Sequence, residues 1–224
     1  MLTFSKVSKK FSTSTALEEI SFTVDKGDFV FIVGPSGAGK TTILKLIINS
    51  LAPSAGKITF EGKDITKLSS SKIPYLRRKI GMIFQDLKVL NDRTINENIA
   101  VALEILGKNE QEIRKETDST LNLVGLPNKG EYFPSQLSAG ELQRVAIARA
   151  IIGNPKMLLA DEPTGNLDPK IGWDILKLLS SINKKGTTVI MATHNADIVN
   201  SMNKRVIRLK NGKMIKDEKK GKYS

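Results

Sequence analysis

Apolar and polar positions along this chain follow two different rhythms. Short apolar or alternating runs predict strands at Leu2 to Val7, Glu18 to Val24, Phe29 to Val33, Lys57 to Phe60, Ile80 to Phe84, Met157 to Ala160 and Thr187 to Ala192. From about Asp86 to Gly153 the period lengthens to that of helices, over Ile95 to Leu106, Glu110 to Val124 and Ser138 to Ile152. Asp168-Pro169 then supplies an N-cap and a first-turn proline. The helix it opens carries one apolar stripe, Ile171, Ile175, Leu178, Leu179 and Ile182. Val206 to Leu209 and Lys213 to Ile215 flank Asn211-Gly212, a tight-hairpin signal. Strand signals resume after the helical stretch, so we expect a single domain, 1–224. Its core covers about 1–87 and 154–224, and its helical insertion about 88–153.

The run Phe29 to Leu46 shows what the strands serve. An unbroken apolar strand leads into Gly34-Pro35-Ser36-Gly37-Ala38-Gly39-Lys40-Thr41, and a helix follows from Lys40 to about Ser50. This fits G-x-x-x-x-G-K-[ST] in its strand–loop–helix context. Glycines let backbone N–H groups converge on phosphate oxygens, and the helix aims its positive end at the same anion. Lys40 is expected on the β- and γ-phosphates, with Thr42 following in the same turn, and the Thr41 hydroxyl on Mg²⁺. A chain built this way binds a nucleoside triphosphate.

Composition narrows the setting. The 224 residues are 40% hydrophobic and 26% charged, ordinary for a globular protein. With no cysteine, disulfides and thiolate metal sites are excluded. MLTFSKVSKK lacks the apolar core of a secretory signal, and no run approaches the ~18–20 apolar residues of a membrane span. We therefore expect a soluble or peripheral protein. Of the net charge of +12, the stretch Lys204 to Lys222 holds nine basic residues against Asp217 and Glu218. Such a stretch is a solvated tail, or it meets an anionic membrane face or nucleic acid. No aromatic-studded basic groove accompanies it, which makes nucleic acid the least favoured partner.

Further candidates stand behind the loop. Met157 to Glu162 places Asp161 and Glu162 at the carboxyl end of a buried strand, suited to hold Mg²⁺ and to polarise an attacking water respectively. Ser138-Ala139-Gly140-Glu141 is a capping box, and a capped helix start preceded by small residues is also an anion site. His194, the sole histidine, follows the strand Thr187 to Thr193 on the edge where α/β sheets bind ligands. Phe11 is either a core residue or a stacking surface for a base.

GPSGAGKT (34–41), Gln85, LSAGE (137–141), LLADE (158–162), GNLD (165–168) and His194 together resemble an ABC-type ATPase domain, in the expected order over nearly the whole chain. The signature departs from LSGGQ at Ala139 and Glu141; the extra methyl of Ala139 is expected to leave nucleotide binding in place. The resemblance implies an α/β P-loop fold with a RecA-like core, an N-terminal antiparallel β-subdomain and an inserted α-helical subdomain. It implies Mg-dependent ATP hydrolysis by a head-to-tail homodimer with two ATP molecules between protomers. Ser138, Gly140 and Glu141 of one subunit would face Lys40 of the other. Phe11 would stack on adenine, and Gln85 would reach the metal and the attacking water. His194 would contact the γ-phosphate, and Asp168 would communicate across the interface. The groove over Asp86 to Asn98 would receive an integral membrane permease-like protein, placing the chain at the cytoplasmic face of the membrane.

The stretches 53–68, 73–86, 92–100, 158–168 and 189–195 resemble the cell-division branch of the family. Similar stretches occur in ATPases of macrolide exporters and lipoprotein-release systems. Asn195 stands where these relatives often carry Asp.

Overall fold

The computed structural model describes residues 1–223. Its centre is β3 (Phe29–Val33), buried at every position, so both faces must be covered. Phe29, Phe31 and Val33 point into one apolar cluster while Val30 and Ile32 point into another. That alternation is the pleat of a strand packed on two sides.

One sheet has six strands, in the order β10 (Lys213–Glu218), β9 (Arg205–Lys210), β3, β8 (Thr188–Thr193), β7 (Met157–Asp161), β6 (Ile80–Ile83). All adjacent pairs are parallel except β9 with β10, the predicted hairpin. A second, antiparallel sheet of four strands runs β2 (Thr15–Val24), β1 (Leu2–Lys10), β4 (Ala55–Phe60), β5 (Lys63–Asp64). It shares one apolar cluster with α1 (Lys40–Ile47). The other cluster joins the opposite face of the six-stranded sheet to α3 (Ile95–Ile105), α4 (Glu110–Leu123), α5 (Ala139–Ile151) and α6 (Pro169–Lys184).

Local chemistry explains the boundaries. Thr94, Asn109 and Ser138 each close a capping box with the glutamate three residues on, fixing where α3, α4 and α5 begin. Two helices escape the hydrophobic pattern because they are short, α2 (Ile73–Arg77) and α7 (Ala196–Met202). The lysine-rich stretch is also more ordered than a solvated tail. Residues 205–210 and 213–218 are sheet, and Arg205 grips Asp217 through two bonds of 2.8 and 2.7 Å.

Gly81 shows how closely the helical face meets the sheet. A Cβ there would lie 2.1 Å from the Ala150 carbonyl oxygen, so β6 and α5 touch backbone to backbone. Among the described residues no helix is long and apolar enough to cross a membrane.

Candidate nucleotide site

The site sits at the carboxyl ends of β3, β7 and β8, where a parallel sheet presents its loops to a ligand. Gly34 leaves β3 at φ 152° with its Cβ position 2.4 Å from the Leu209 carbonyl oxygen. Gly39 caps α1 at φ 104°, where a Cβ would strike Leu17 and the Ala16 carbonyl. Neither position admits a side chain. Gly39 supplies no capping acceptor and the first turn holds no acid, so the positive helix end is reserved for an external anion. Lys40, 7% exposed, folds back on the loop: its Nζ donates to Gly34 O at 2.9 Å and Pro35 O at 3.2 Å, and lies 3.6 Å from Glu162 Oε1.

Asp161 ends β7 at 5% exposure, and its Oδ1 accepts a 3.1 Å bond from Thr41 Oγ1. Burial pushes its carboxyl above the usual carboxylate range, with the Thr41 bond pulling the other way. A buried carboxylate beside a hydroxyl, with the Gln85 amide on the cavity wall nearby, is a hard-oxygen set that fits Mg²⁺. No group of three His, Cys, Asp or Glu among the described residues would hold a metal unaided. Mg²⁺ takes one or two protein ligands and completes its shell with phosphate and water, and Thr41 and Asp161 supply two oxygens.

Glu162 adopts φ 48°, the left-handed region that non-glycine residues avoid. Three contacts hold it there. Its N–H donates to Ala192 O at 2.9 Å, its Oε2 accepts from the His194 N–H at 3.3 Å, and its Oε1 lies 2.8 Å from His194 Nδ1. Backbone strain over-determined by neighbours is typical of a functional position.

A cavity of about 450 Å³ gathers Pro35 to Thr42, Gln85, Glu162 and His194 on one wall system. Two residues the sequence did not flag, Ala16 and Tyr223, complete it. No motif marks either. A smaller hollow of about 270 Å³ shares Gln85 and Glu162 and runs toward Ala139 on the first turn of α5. A larger one, about 550 Å³, lies beside α4 and α6 and contains none of the phosphate-binding groups.

Other candidates stand apart from the cavity. Phe11 is 44% exposed in the β1–β2 turn, with the Lys9 ammonium 5.2 Å from its ring centroid. Ser138 and Glu141 are joined through their cap, the Glu141 carboxylate accepting from Ser138 N at 2.9 Å and Ser138 Oγ at 3.0 Å. Those bonds, with Lys129 at 3.4 Å, hold the Glu141 carboxyl below its usual range. Gly140 abuts Ile171 of α6, where a Cβ would fall 2.7 Å from Cγ2. Asp168 caps α6 by accepting from Ile171 N at 3.0 Å. Asn195 likewise caps α7, accepting from Ile198 N at 3.1 Å. Asn and Asp are equivalent at an N-cap, so Asn195 fills the same capping role that an aspartate would.

Residues 17–165 match the ABC transporter family. The chain is 50% identical to the cell division ATP-binding protein FtsE of Bacillus subtilis over 93% of its own length and 91% of that protein's. It is 47% identical to the FtsE of Escherichia coli K12, covering 95% and 96%. A dimeric post-hydrolysis ATP-binding cassette bound to ADP and Pi superposes with a TM-score of 0.89 at 33% identity, over 99% of both chains. A dimeric bacterial ABC transporter cassette superposes with a TM-score of 0.90 at the same identity and coverage. With the phosphate loop, Glu162 and His194 on one cavity and Asp161 bonded to Thr41 beside it, the chain belongs to the ABC transporter family as an ATP-binding ATPase of the FtsE kind.

Proposed function

We propose that this chain hydrolyses ATP with Mg²⁺ as a nucleotide-sandwich homodimer and drives conformational change in an FtsX-like integral membrane partner, regulating cell-wall hydrolysis in cell division. The observation that carries this reading is the near-full-length identity to cell division ATP-binding proteins, joined to a complete phosphate cavity. The dimer rests on arithmetic: one phosphate loop and one signature per chain, with Ser138 and Gly140 outside the chain's own cavity.

In this reading Lys40 exchanges the Gly34 and Pro35 carbonyls for the β- and γ-phosphates, releasing Glu162 from its 3.6 Å contact. Thr41, Asp161 and Gln85 would hold Mg²⁺, whose chemistry there is to neutralise the phosphate oxygens. Glu162 accepts a proton from the attacking water, and His194 orients that carboxylate while facing the γ-phosphate. Phe11 stacks on adenine. From the other copy, Ser138, Gly140 and the start of α5 meet the γ-phosphate, and Asp168 meets the interface. Glu141, as a carboxylate, serves by fixing Ser138 rather than by touching phosphate.

The helical part, about 88–153, moves against a core of about 1–87 and 154–224, and the Asp86 to Asn98 groove docks the membrane partner at the cytoplasmic face. Asn98 firms that groove, its side chain accepting from Leu90 N and donating to the Leu90, Arg93 and Thr94 carbonyls.

The test is recovery of the Glu162→Gln form with Mg-ATP from detergent-solubilised membranes, its partner identified by mass spectrometry. A small permease with four spans and one extracellular domain is the expected result. A macrolide-exporter or lipoprotein-release permease would move the role to transport with the site unchanged. No membrane partner would overturn both.

A further inference from the structure

The C-terminal stretch, which the sequence marks only as lysine-rich, returns to the nucleotide cavity. The β10 strand ends at Glu218, paired with Val206 at the start of β9. From there the chain doubles back on three anchors. The Gly221 N–H donates to the Lys204 carbonyl at 3.1 Å. Gly221 itself is buried so tightly that a Cβ would lie 2.7 Å from Val206 Cβ and 3.0 Å from its Cγ2. The Tyr223 N–H then donates to Asn200 Oδ1 on α7 at 2.8 Å, and the Tyr223 side chain packs on the core cluster that includes Ile198, Val199 and Val206. Asn200 lies five residues beyond Asn195, the α7 cap that follows His194, and Tyr223 and His194 stand on the wall of the same cavity.

We propose that Tyr223 is a nucleotide-contact residue delivered in cis by the C-terminal segment, its hydroxyl donating to the terminal phosphate of bound ATP. A phenol is a good donor, and hydrogen bonds to an anionic acceptor are about twice as strong as neutral ones. Lys219, Lys220 and Lys222 place three positive charges on the same segment, which draws a polyanion toward it. The inference rests on the nucleotide pose of the preceding section, with the γ-phosphate beside Glu162 and His194.

Calorimetric titration of wild type, Tyr223→Phe and Gly221→Ala with a non-hydrolysable ATP analogue and with ADP tests it, alongside melting without nucleotide. Tyr223→Phe should weaken the analogue about tenfold, leave ADP within about twofold and leave the melting temperature unchanged. Gly221→Ala, which displaces the segment from Val206, should give the same selective loss. Equal affinities in wild type and Tyr223→Phe would overturn the contact, and so would equal losses for ADP and the analogue. Wild type that binds neither nucleotide would overturn the site reading itself, and this contact with it.

Discussion

His194 holds both oxygens of the Glu162 carboxylate, one through its ring Nδ1 at 2.8 Å and the other through its backbone N–H at 3.3 Å. The two grips separate in a variant. His194→Ala removes the ring contact but keeps the backbone donor, so Glu162 stays in place with its Oε1 left to the longer Lys40 contact. Glu162→Gln keeps the shape and removes the base. General-base catalysis contributes roughly 10²–10⁴ in rate. Glu162→Gln should lose that much turnover while accumulating an ATP-bound dimer, and His194→Ala should fall less far. Phosphate release and size-exclusion chromatography with Mg-ATP are the measurements. Wild-type turnover in Glu162→Gln would end its assignment as the base.

Asp161 makes a prediction about pH. Burial raises its carboxyl above the ordinary 3.8, so the folded state holds this proton more tightly than the unfolded chain. Its contribution to stability is complete below that ordinary value and is lost as pH rises through the raised one. Near neutrality the protein without nucleotide therefore carries a buried charge at a cost. Asp161→Asn should raise the melting temperature of the nucleotide-free protein at pH 7, at ~2–4 °C per kcal/mol for a domain of this size. The advantage should shrink toward pH 4 and reverse with Mg-ATP, which wild type alone binds fully. A lower melting point for Asp161→Asn at pH 7 without nucleotide would contradict the argument.

Most of this fold is legible from periodicity, because its long elements bury one face or two. The phosphate strand ends where expected, at Phe29 and Val33, and the helices α3, α4 and α5 lie within a residue of their apolar patterns. What stays hidden depends on brevity or on contacts distant in sequence. α7 has seven residues and is announced in the sequence only by the Asn195 cap. The return of Tyr223 to the cavity rests on Gly221 fitting against Val206 and on Asn200, which no local pattern encodes. The site shows the same division. Lys40, Thr41 and Glu162 follow from motifs, whereas the strained φ of Glu162 and its two-handed hold by His194 need coordinates.

Ala139 bears on affinity. It opens α5 beside the signature serine and lines the hollow that runs to Gln85 and Glu162. In the proposed dimer its methyl would face a partner's phosphate and backbone, and crowding of that order costs about 1 kcal/mol. Ala139→Gly should therefore tighten ATP-dependent dimerisation roughly fivefold. The same change gives up helix propensity, by up to ~1 kcal/mol, so the melting temperature should fall slightly. Analytical ultracentrifugation of the Glu162→Gln background with and without the second change decides it; unchanged dimerisation would show that the methyl is not in the contact.

Arg149 ties the signature helix to the segment that follows Gln85. From the last turn of α5 its guanidinium donates to the Leu87 carbonyl at 2.7 Å and the Lys88 carbonyl at 2.8 Å. Both acceptors sit in left-handed backbone, at φ 53°, which costs energy that the two bonds offset. Because the guanidinium is a rigid fork, two of its nitrogens grip two adjacent carbonyls in a fixed geometry that a flexible lysine ammonium does not reproduce. The bridge runs from the proposed membrane-docking groove to the helix that begins at Ser138, so it is suited to carry motion between them. Arg149→Lys should cost about 1–2 kcal/mol of stability and speed amide exchange over 87–92. Basal hydrolysis should stay within about twofold, because no phosphate-binding group moves, while stimulation by the membrane partner should largely disappear. If stimulation survives with the 87–92 amides exchanging freely, the groove reaches the signature helix by another route.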